Sequence, residues 1–154
     1  MSSELIVETQ EYKDHTEYKL IGSIDEDSNF DFISVIKNEI TFDLDAITLI
    51  NSCGIREWIK FQDTIDNNCK INYKNCPQII VEQMNIIKGF VRNGGTIISF
   101  YAPYYDKEAD TEIKKLISPC DVVEGKAPEF KNDEGEILEF DDIEAQYFNF
   151  LKNA

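Results

Sequence analysis

The 154-residue chain has no apolar run long enough to cross a bilayer, and its first residues, Met1 to Glu4, do not begin a signal peptide. It also lacks any C-x-x-C pair, because its four cysteines are scattered along the sequence. A secreted disulfide framework is usually denser and follows an export signal. We therefore expect a cytoplasmic protein without membrane insertion, whose four thiols are reduced: Cys53, Cys69, Cys76 and Cys120.

Basic residues are scarce, with 15 lysines and arginines against 30 aspartates and glutamates, for a net charge of −15. Binding to a phosphate backbone or to anionic lipid requires basic side chains that replace counterions. We therefore exclude nucleic acid as a partner. The hydrophobic share of 42% is sufficient for one domain with a buried core.

Histidine is nearly absent, since His15 is the only one in the chain. A cysteine hydrolase needs a nearby base, and His15 lies in a polar turn far from Cys53 in sequence. Pairs of carboxylates are expected from so acidic a composition, and no D-x-D-x-D-G calcium loop is present. The sequence thus predicts a protein that is not an enzyme, with no catalytic residue, metal site or cofactor.

Strands alternate with helices over the first two thirds of the chain, which predicts an α/β fold with a mixed sheet. The polar stretch between two β-type runs near the start predicts a hairpin, and Pro77 sits where a helix can begin. The predicted elements are a hairpin over 5–22, a strand over 39–50, a helix over 55–66, a strand over 70–74, a helix after Pro77 and a strand over 96–101.

The last third is more acidic, with 14 acidic and 6 basic residues in 101–154. Here the pattern predicts a short helix over 112–117, a hairpin over 130–140 turned at 132–135, and a terminal helix capped by Asp141 and Asp142. That helix has an apolar face that should dock on the body: Ile143, Tyr147, Phe148 and Leu151. We predict a first unit over 1–103 and an acidic α+β extension over 104–154 packed on it.

The segment 43–56 ends a strand with Asn51-Ser52-Cys53-Gly54 and leads into an amphipathic helix that carries Trp58. We expect Ser52 to cap that helix, because its hydroxyl can accept from free backbone N–H groups of the first turn. The segment resembles the signature of STAS domains (sulfate transporter and anti-sigma factor antagonist), in which a strand runs into Asp-Ser-Ser-Gly-Leu at the start of a helix. The resemblance implies a STAS-like mixed sheet and a regulatory protein-interaction module.

Only Ser52 and Gly54 of that signature are kept. Cys53 stands where family members that act as phospho-switches have the serine phosphorylated by a partner kinase, and Asn51 stands in place of the aspartate. The resemblance therefore implies binding without phosphorylation at that acceptor.

The same resemblance places the partner-binding surface on the loop and on the exposed side of the helix: Asn51, Ser52, Cys53, Gly54, Arg56 and Lys60. The expected partner is a protein, such as a kinase-type or sensor regulator. Two alternatives stay open. The domain could sense a small ligand or a redox change through Cys53, or it could be an assembly subunit that forms a homodimer through its terminal helix and the aromatic run 100–105.

The extension is similar to C-terminal segments of some bacterial STAS-like proteins, in which two C-x-x-C knuckles would bind zinc. Asp106 and Ala109, and then Asn132 and Gly135, would occupy the knuckle positions. These residues cannot form a tetrahedral thiolate site. The resemblance thus implies a zinc-less remnant of a Cys-knuckle ribbon.

Overall fold

Five strands form the first sheet in the computed structural model, which describes residues 4–31, 33 and 38–153. The strands lie in chain order as β1 (Ile6–Glu11), β2 (Thr16–Ile24), β3 (Glu39–Ile50), β4 (Lys70–Lys74) and β5 (Thr96–Ile97). The pair β1 and β2 is an antiparallel hairpin, and every later neighbour is parallel. The prediction of an α/β fold with a mixed sheet is therefore confirmed. The outer limits of the two predicted units, residues 1–3 and 154, lie outside the described residues.

Two helices make crossovers between parallel strands: α1 (Ser52–Asp63) connects β3 to β4, and α2 (Gln78–Ile86) connects β4 to β5. As predicted, α2 begins directly after Pro77. The prediction that the first helix extends to Asp66 is wrong. The Thr64 hydroxyl and N–H both bond back to the Phe61 carbonyl, and this closes the helix three residues earlier.

The buried face of α1 carries Trp58, which is fully buried against the sheet. Its indole N–H donates to the Phe90 carbonyl oxygen at 2.9 Å, and the Gln62 side chain donates to the same oxygen at 2.8 Å. A buried indole N–H needs such an acceptor. The two bonds fix α1 against the segment that leads into β5.

The predicted strand over 96–101 is wrong in one respect, because the chain divides it between two sheets. Strand β5 ends at Ile97, and β6 (Phe100–Asp106) belongs to the second sheet, although the Ile98 N–H still donates to the Tyr73 carbonyl of β4 at 2.7 Å and Phe100 forms a parallel bridge with Cys76. The Ser99 hydroxyl accepts from the Asn75 N–H at 2.9 Å and thereby ties the break to the end of β4. The boundary predicted between 103 and 104 falls inside β6, and the division into two units stays a prediction.

The second sheet has the order β7-β6-β8 and is antiparallel throughout. Its outer strands are β7 (Thr111–Ile117) and β8 (Glu139–Phe140). The prediction of a helix over 112–117 is therefore wrong, because all seven residues of β7 pair with β6. In the region of the predicted hairpin, Lys131 and Ile137 form an antiparallel bridge, and Gly135 takes the turn at a φ of 82°.

The chain ends in a short helix, α3 (Glu144–Tyr147), followed by a 3-10 helix, Asn149–Asn153. In this segment Tyr147 and Phe148 are buried, and the Asn85 side chain bonds the backbone at Tyr147 and Phe150; the packing of the whole extension on the first unit stays a prediction. Two details differ. The helix begins after Ile143 without a side-chain cap, so Asp141 and Asp142 do not cap it, and Ile143 is 59% exposed.

The two positions that begin the predicted knuckles are in contact. The Asn132 side-chain amide donates to Asp106 Oδ1 at 3.1 Å. Each residue also closes its own turn, because Asp106 Oδ1 accepts from the N–H of Glu108 and Asn132 Oδ1 accepts from the N–H of Glu134. The origin of this pair in a metal-binding ribbon stays a prediction.

Candidate partner-binding site at the start of the first crossover helix

The predicted site lies at the carboxyl edge of the first sheet. Strands β2 and β3 are parallel, and their last residues, Ile24 and Ile50, are paired. The segments that follow, 25–28 and 51–54, therefore leave the sheet side by side. The Asn51 N–H donates to the Ile24 carbonyl at 3.1 Å and holds the two segments together.

Asn51 caps α1, so the prediction that Ser52 is the cap is wrong. The Asn51 side-chain oxygen accepts from the Gly54 N–H at 2.8 Å, while its backbone is extended, with φ −128° and ψ 174°. Ser52 is instead the first residue of the helix and its side chain is exposed. The Asn51 amide group also donates to Glu26 at 2.8 Å, so the cap joins both segments.

Gly54 is buried where the helix start crosses the end of β2. A Cβ atom at this position would overlap the Ile24 carbonyl and the Asp25 nitrogen. Only glycine permits so close an approach of two backbones. Gly54 therefore positions the backbone of this turn, and its predicted contact with a partner stays a prediction.

The segment after β2 contributes residues that the sequence analysis missed. Asp25 is only 3% exposed; its Oδ1 accepts from the Asp27 N–H at 2.9 Å, and its Oδ2 is buried with no hydrogen-bond partner among the described residues. The Ser28 hydroxyl accepts from the Asp25 N–H at 2.8 Å and donates to the Ser23 carbonyl at 3.1 Å. The sequence carries no local signal for this neighbourhood, because it depends on β2 pairing in parallel with β3.

The remaining predicted residues form one exposed strip along α1. Ser52, Arg56 and Lys60 are spaced four apart, so they share a helix face, and Cys53 lies beside them, three residues before Arg56. All four side chains are exposed. The backbone N–H groups of Ser52 and Cys53 have no acceptor among the described residues, as is usual for a helix start. The strip thus presents two free donors and two cations.

Acidic side chains border this strip. Glu57 Oε1 lies 3.7 Å from Lys60 Nζ, and the two side chains form an exposed ion pair. A hydrogen bond from its own backbone, and then the bond from Asn51, lower the pKa of the Glu26 carboxyl below its usual range. Glu26 therefore remains ionised at neutral pH beside the positive end of the helix dipole.

The position of His15 excludes a cysteine–histidine pair with Cys53. His15 lies in the β1–β2 turn, with Nδ1 2.8 Å from Asp14 Oδ1 and its ring stacked on Tyr12. Cys53 adjoins Gly54 at the other end of β2, and a strand running from residue 16 to residue 24 spans about 26 Å. Chemistry at Cys53 would have to proceed without an imidazole base. No group of three or more potential metal ligands occurs among the described residues.

No protein-family model and no curated protein sequence matches the chain. Among solved structures, it is similar to an anti-sigma factor antagonist from Mycobacterium paratuberculosis, at 12% identity and a TM-score of 0.40, over 49% of this chain and 73% of that chain. None of the helices in the described part of the chain is long and apolar enough to cross a membrane.

Proposed function

We propose that the protein is a non-enzymatic regulatory module that binds a protein partner in the cytoplasm through the start of α1, as the resemblance to anti-sigma factor antagonists implies. The observation that carries the proposal is the combination of a rigid base and an exposed face. Asn51 and Gly54 lock the turn to the end of β2, and Ser52, Cys53, Arg56 and Lys60 project from it. A preorganised surface lowers the entropic cost of binding.

The charges of the strip favour an acidic or acceptor-rich partner segment. Two free N–H groups at a helix start attract a carboxylate or a carbonyl, and Arg56 can bind a carboxylate with two hydrogen bonds. The net charge of −15 repels acidic partners elsewhere on the surface. Binding should therefore be confined to this strip, and it should weaken at high salt.

Cys53 replaces the phospho-acceptor serine of the family that the signature resembles. A thiol is not a substrate for a serine kinase, so a kinase-type partner would bind here without phosphorylating this position. Control of binding would then come from the abundance of the partner or from the state of the thiol.

The exposed thiol provides the test. A photo-crosslinker attached to Cys53 in a Cys120→Ser variant is irradiated in extract of the organism's own cells, and the adducts are identified by mass spectrometry. The matched control carries the same label on Cys120, the other exposed cysteine, in a Cys53→Ser variant. We expect a protein adduct from Cys53 that Cys120 does not give.

A charge reversal sharpens the same experiment. Arg56→Glu with Lys60→Glu should abolish the Cys53 adduct, whereas Lys13→Glu with Lys88→Glu makes the same change in charge at two other exposed positions and should leave it intact. Identical adducts from both labelled cysteines, or equal loss in both double variants, would refute a specific surface at α1.

A thiol sensor is the second candidate, and it is favoured by the exposure of Cys53 in the first turn of a twelve-residue helix. The rate of alkylation of Cys53 against pH, measured in the Cys120→Ser variant, separates the two functions. A midpoint well below about 8.5, the value of a free cysteine, supports a sensor, and a midpoint near that value excludes it.

A further inference from the structure

A groove of about 700 Å³ lies between the end of the first sheet and the C-terminal helices. One wall is β5 with the preceding Gly95, and the others come from residues 119–126 and 144–152. Its apolar lining consists of Ile97, Pro119, Val122, Ala145, Phe148 and Leu151. Volumes of 300–1,000 Å³ with mostly apolar walls are typical of small-molecule sites, at roughly the size that buries a drug-sized ligand.

The wall formed by residues 123–126 is held in place from both sides. Val123 and Lys126 exchange two backbone hydrogen bonds, at 3.2 and 2.9 Å, around a two-residue turn. That turn places Glu124 in the left-handed region with a φ of 53°, which is strained for a residue other than glycine.

The same wall is fastened to α3 through Glu144. One carboxylate oxygen accepts from the Ala127 N–H at 2.7 Å, and the other lies 3.6 Å from Lys126 Nζ. The groove is therefore preformed.

The charges at the rim identify the class of ligand. Two acidic side chains, Glu124 and Glu144, are matched by two basic ones, Lys126 and Lys152, so the lining is neutral although the chain as a whole carries −15. An anion would meet the repulsion of the whole protein without a net positive lining to offset it. A cation would be attracted to this neutral lining no more strongly than to the acidic surface elsewhere on the protein.

We propose that this groove binds an uncharged, largely apolar small molecule, whose body packs between Ile97, Val122 and Phe148. None of the lining residues belongs to the strip on α1 or to the turns beneath it. Ligand binding in the groove is therefore independent of the proposed partner binding at α1.

The test uses N-phenyl-1-naphthylamine, a neutral probe that fluoresces when it enters an apolar site. We expect saturable binding of one probe per chain with a Kd on the order of micromolar. The anionic probe 8-anilinonaphthalene-1-sulfonate should bind at least about tenfold more weakly, because the lining offers no net positive charge.

A variant that fills the groove locates the binding. Thr96→Trp places an indole on the exposed edge of β5, inside the groove, and should raise the Kd of the neutral probe by about tenfold or more. The matched control is Thr9→Trp, the same change on β1 at the opposite edge of the same sheet, and it should leave the Kd unchanged.

If circular dichroism shows that Thr96→Trp is unfolded, Val122→Asp replaces it. This variant should raise the Kd of the neutral probe similarly, because it places an unpaired charge in the groove. No saturable binding to the native protein, equal weakening by both tryptophan variants, or tighter binding of the anionic probe would each overturn the proposal.

Discussion

The two sheets are built in different ways. The first has strands of nine and twelve residues at its centre and crossover helices of twelve and nine residues. The second has two strands of seven residues, one of two, and a helix of four residues beside it. Regular backbone hydrogen bonding organises the first region, and the second has much less of it.

Side chains take over this role in the second region. Polar side chains accept from backbone N–H groups that lie outside helices and strands, and they include Asp106, Asp121, Asn132 and Glu144. Its core, like that of the first region around Phe42 and Trp58, contains aromatic rings in mutual contact: Phe100, Tyr104, Phe130, Phe140, Tyr147, Phe148 and Phe150. Order in this region therefore depends on individual residues more than on periodic pattern, and the comparison can be tested by removing one of them.

The largest effect is expected for Phe148→Ala. Phe148 is buried and contacts Phe100, Phe140 and Tyr147, so its removal should lower the free energy of unfolding by about 3–5 kcal/mol. Trp58 reports on this change, because it is the only tryptophan and its ring contacts lie in the first region. Since Phe148 and Phe150 pack on Phe100 and the Asn85 side chain bonds the terminal segment, the fluorescence midpoint in urea should fall together with the signal from circular dichroism.

A shift in circular dichroism without a shift in Trp58 fluorescence would show that the two regions unfold separately. Ile143→Ala is the control. It removes an apolar side chain close to the same helix, but one that is mostly exposed, and it should change the free energy of unfolding by less than about 0.5 kcal/mol.

A smaller effect is expected at the start of α1, for Gly54→Ala. The added methyl group would overlap the backbone at Ile24 and Asp25, which cannot move without disturbing the end of β2. Overpacking of this kind costs about 1–3 kcal/mol, and the value here should lie near the upper limit because both neighbours are backbone atoms. Urea unfolding measures this loss of free energy, and Cys53→Ala, an exposed change in the same turn, is the control. Equal stability of the two variants would contradict the close approach.

The same contrast explains which elements the sequence predicts. The strands over 39–50 and 70–74 match their predicted bounds, because alternating apolar and β-branched residues specify a strand in a half-buried sheet. In the second region, Glu112, Lys114, Lys115 and Leu116 are good helix formers, and the segment becomes β7 because β6 offers a partner for every residue. The break at Ile98 has no local signal, since 96–101 is β-prone throughout. The break is visible only in the structure, where β5 and β6 belong to different sheets.

At the candidate site, the sequence identifies the turn and the exposed face of α1 but leaves out its foundation. Asp25, Glu26 and Ser28 join the site only because β2 runs parallel to β3, which is a property of the fold. The predicted cap, Ser52, lies one position after the actual cap, Asn51. Asparagine and serine are both good N-caps, and the two are adjacent here. Local propensity cannot separate them.

The smallest effect distinguishes these two caps. Asn51→Ala removes the acceptor for the Gly54 N–H and should lower the free energy of unfolding by about 1 kcal/mol, whereas Ser52→Ala removes an exposed hydroxyl and should change it by less than about 0.5 kcal/mol.

The pKa of Glu26 is an independent reporter, because the Asn51 amide group donates to its carboxylate. In Asn51→Ala that pKa should rise towards its usual value, as measured by NMR titration, while in Ser52→Ala it should stay low. A depressed carboxyl pKa contributes stability that is lost as the pH falls through the folded-state value, so the acid limb of the stability curve should be shallower in Asn51→Ala. An unchanged Glu26 pKa in Asn51→Ala would mean that the Asn51 side chain does not join the two segments at the sheet edge, and the rigid base attributed to the binding surface would rest on Gly54 and on the backbone bond from Asn51 to Ile24.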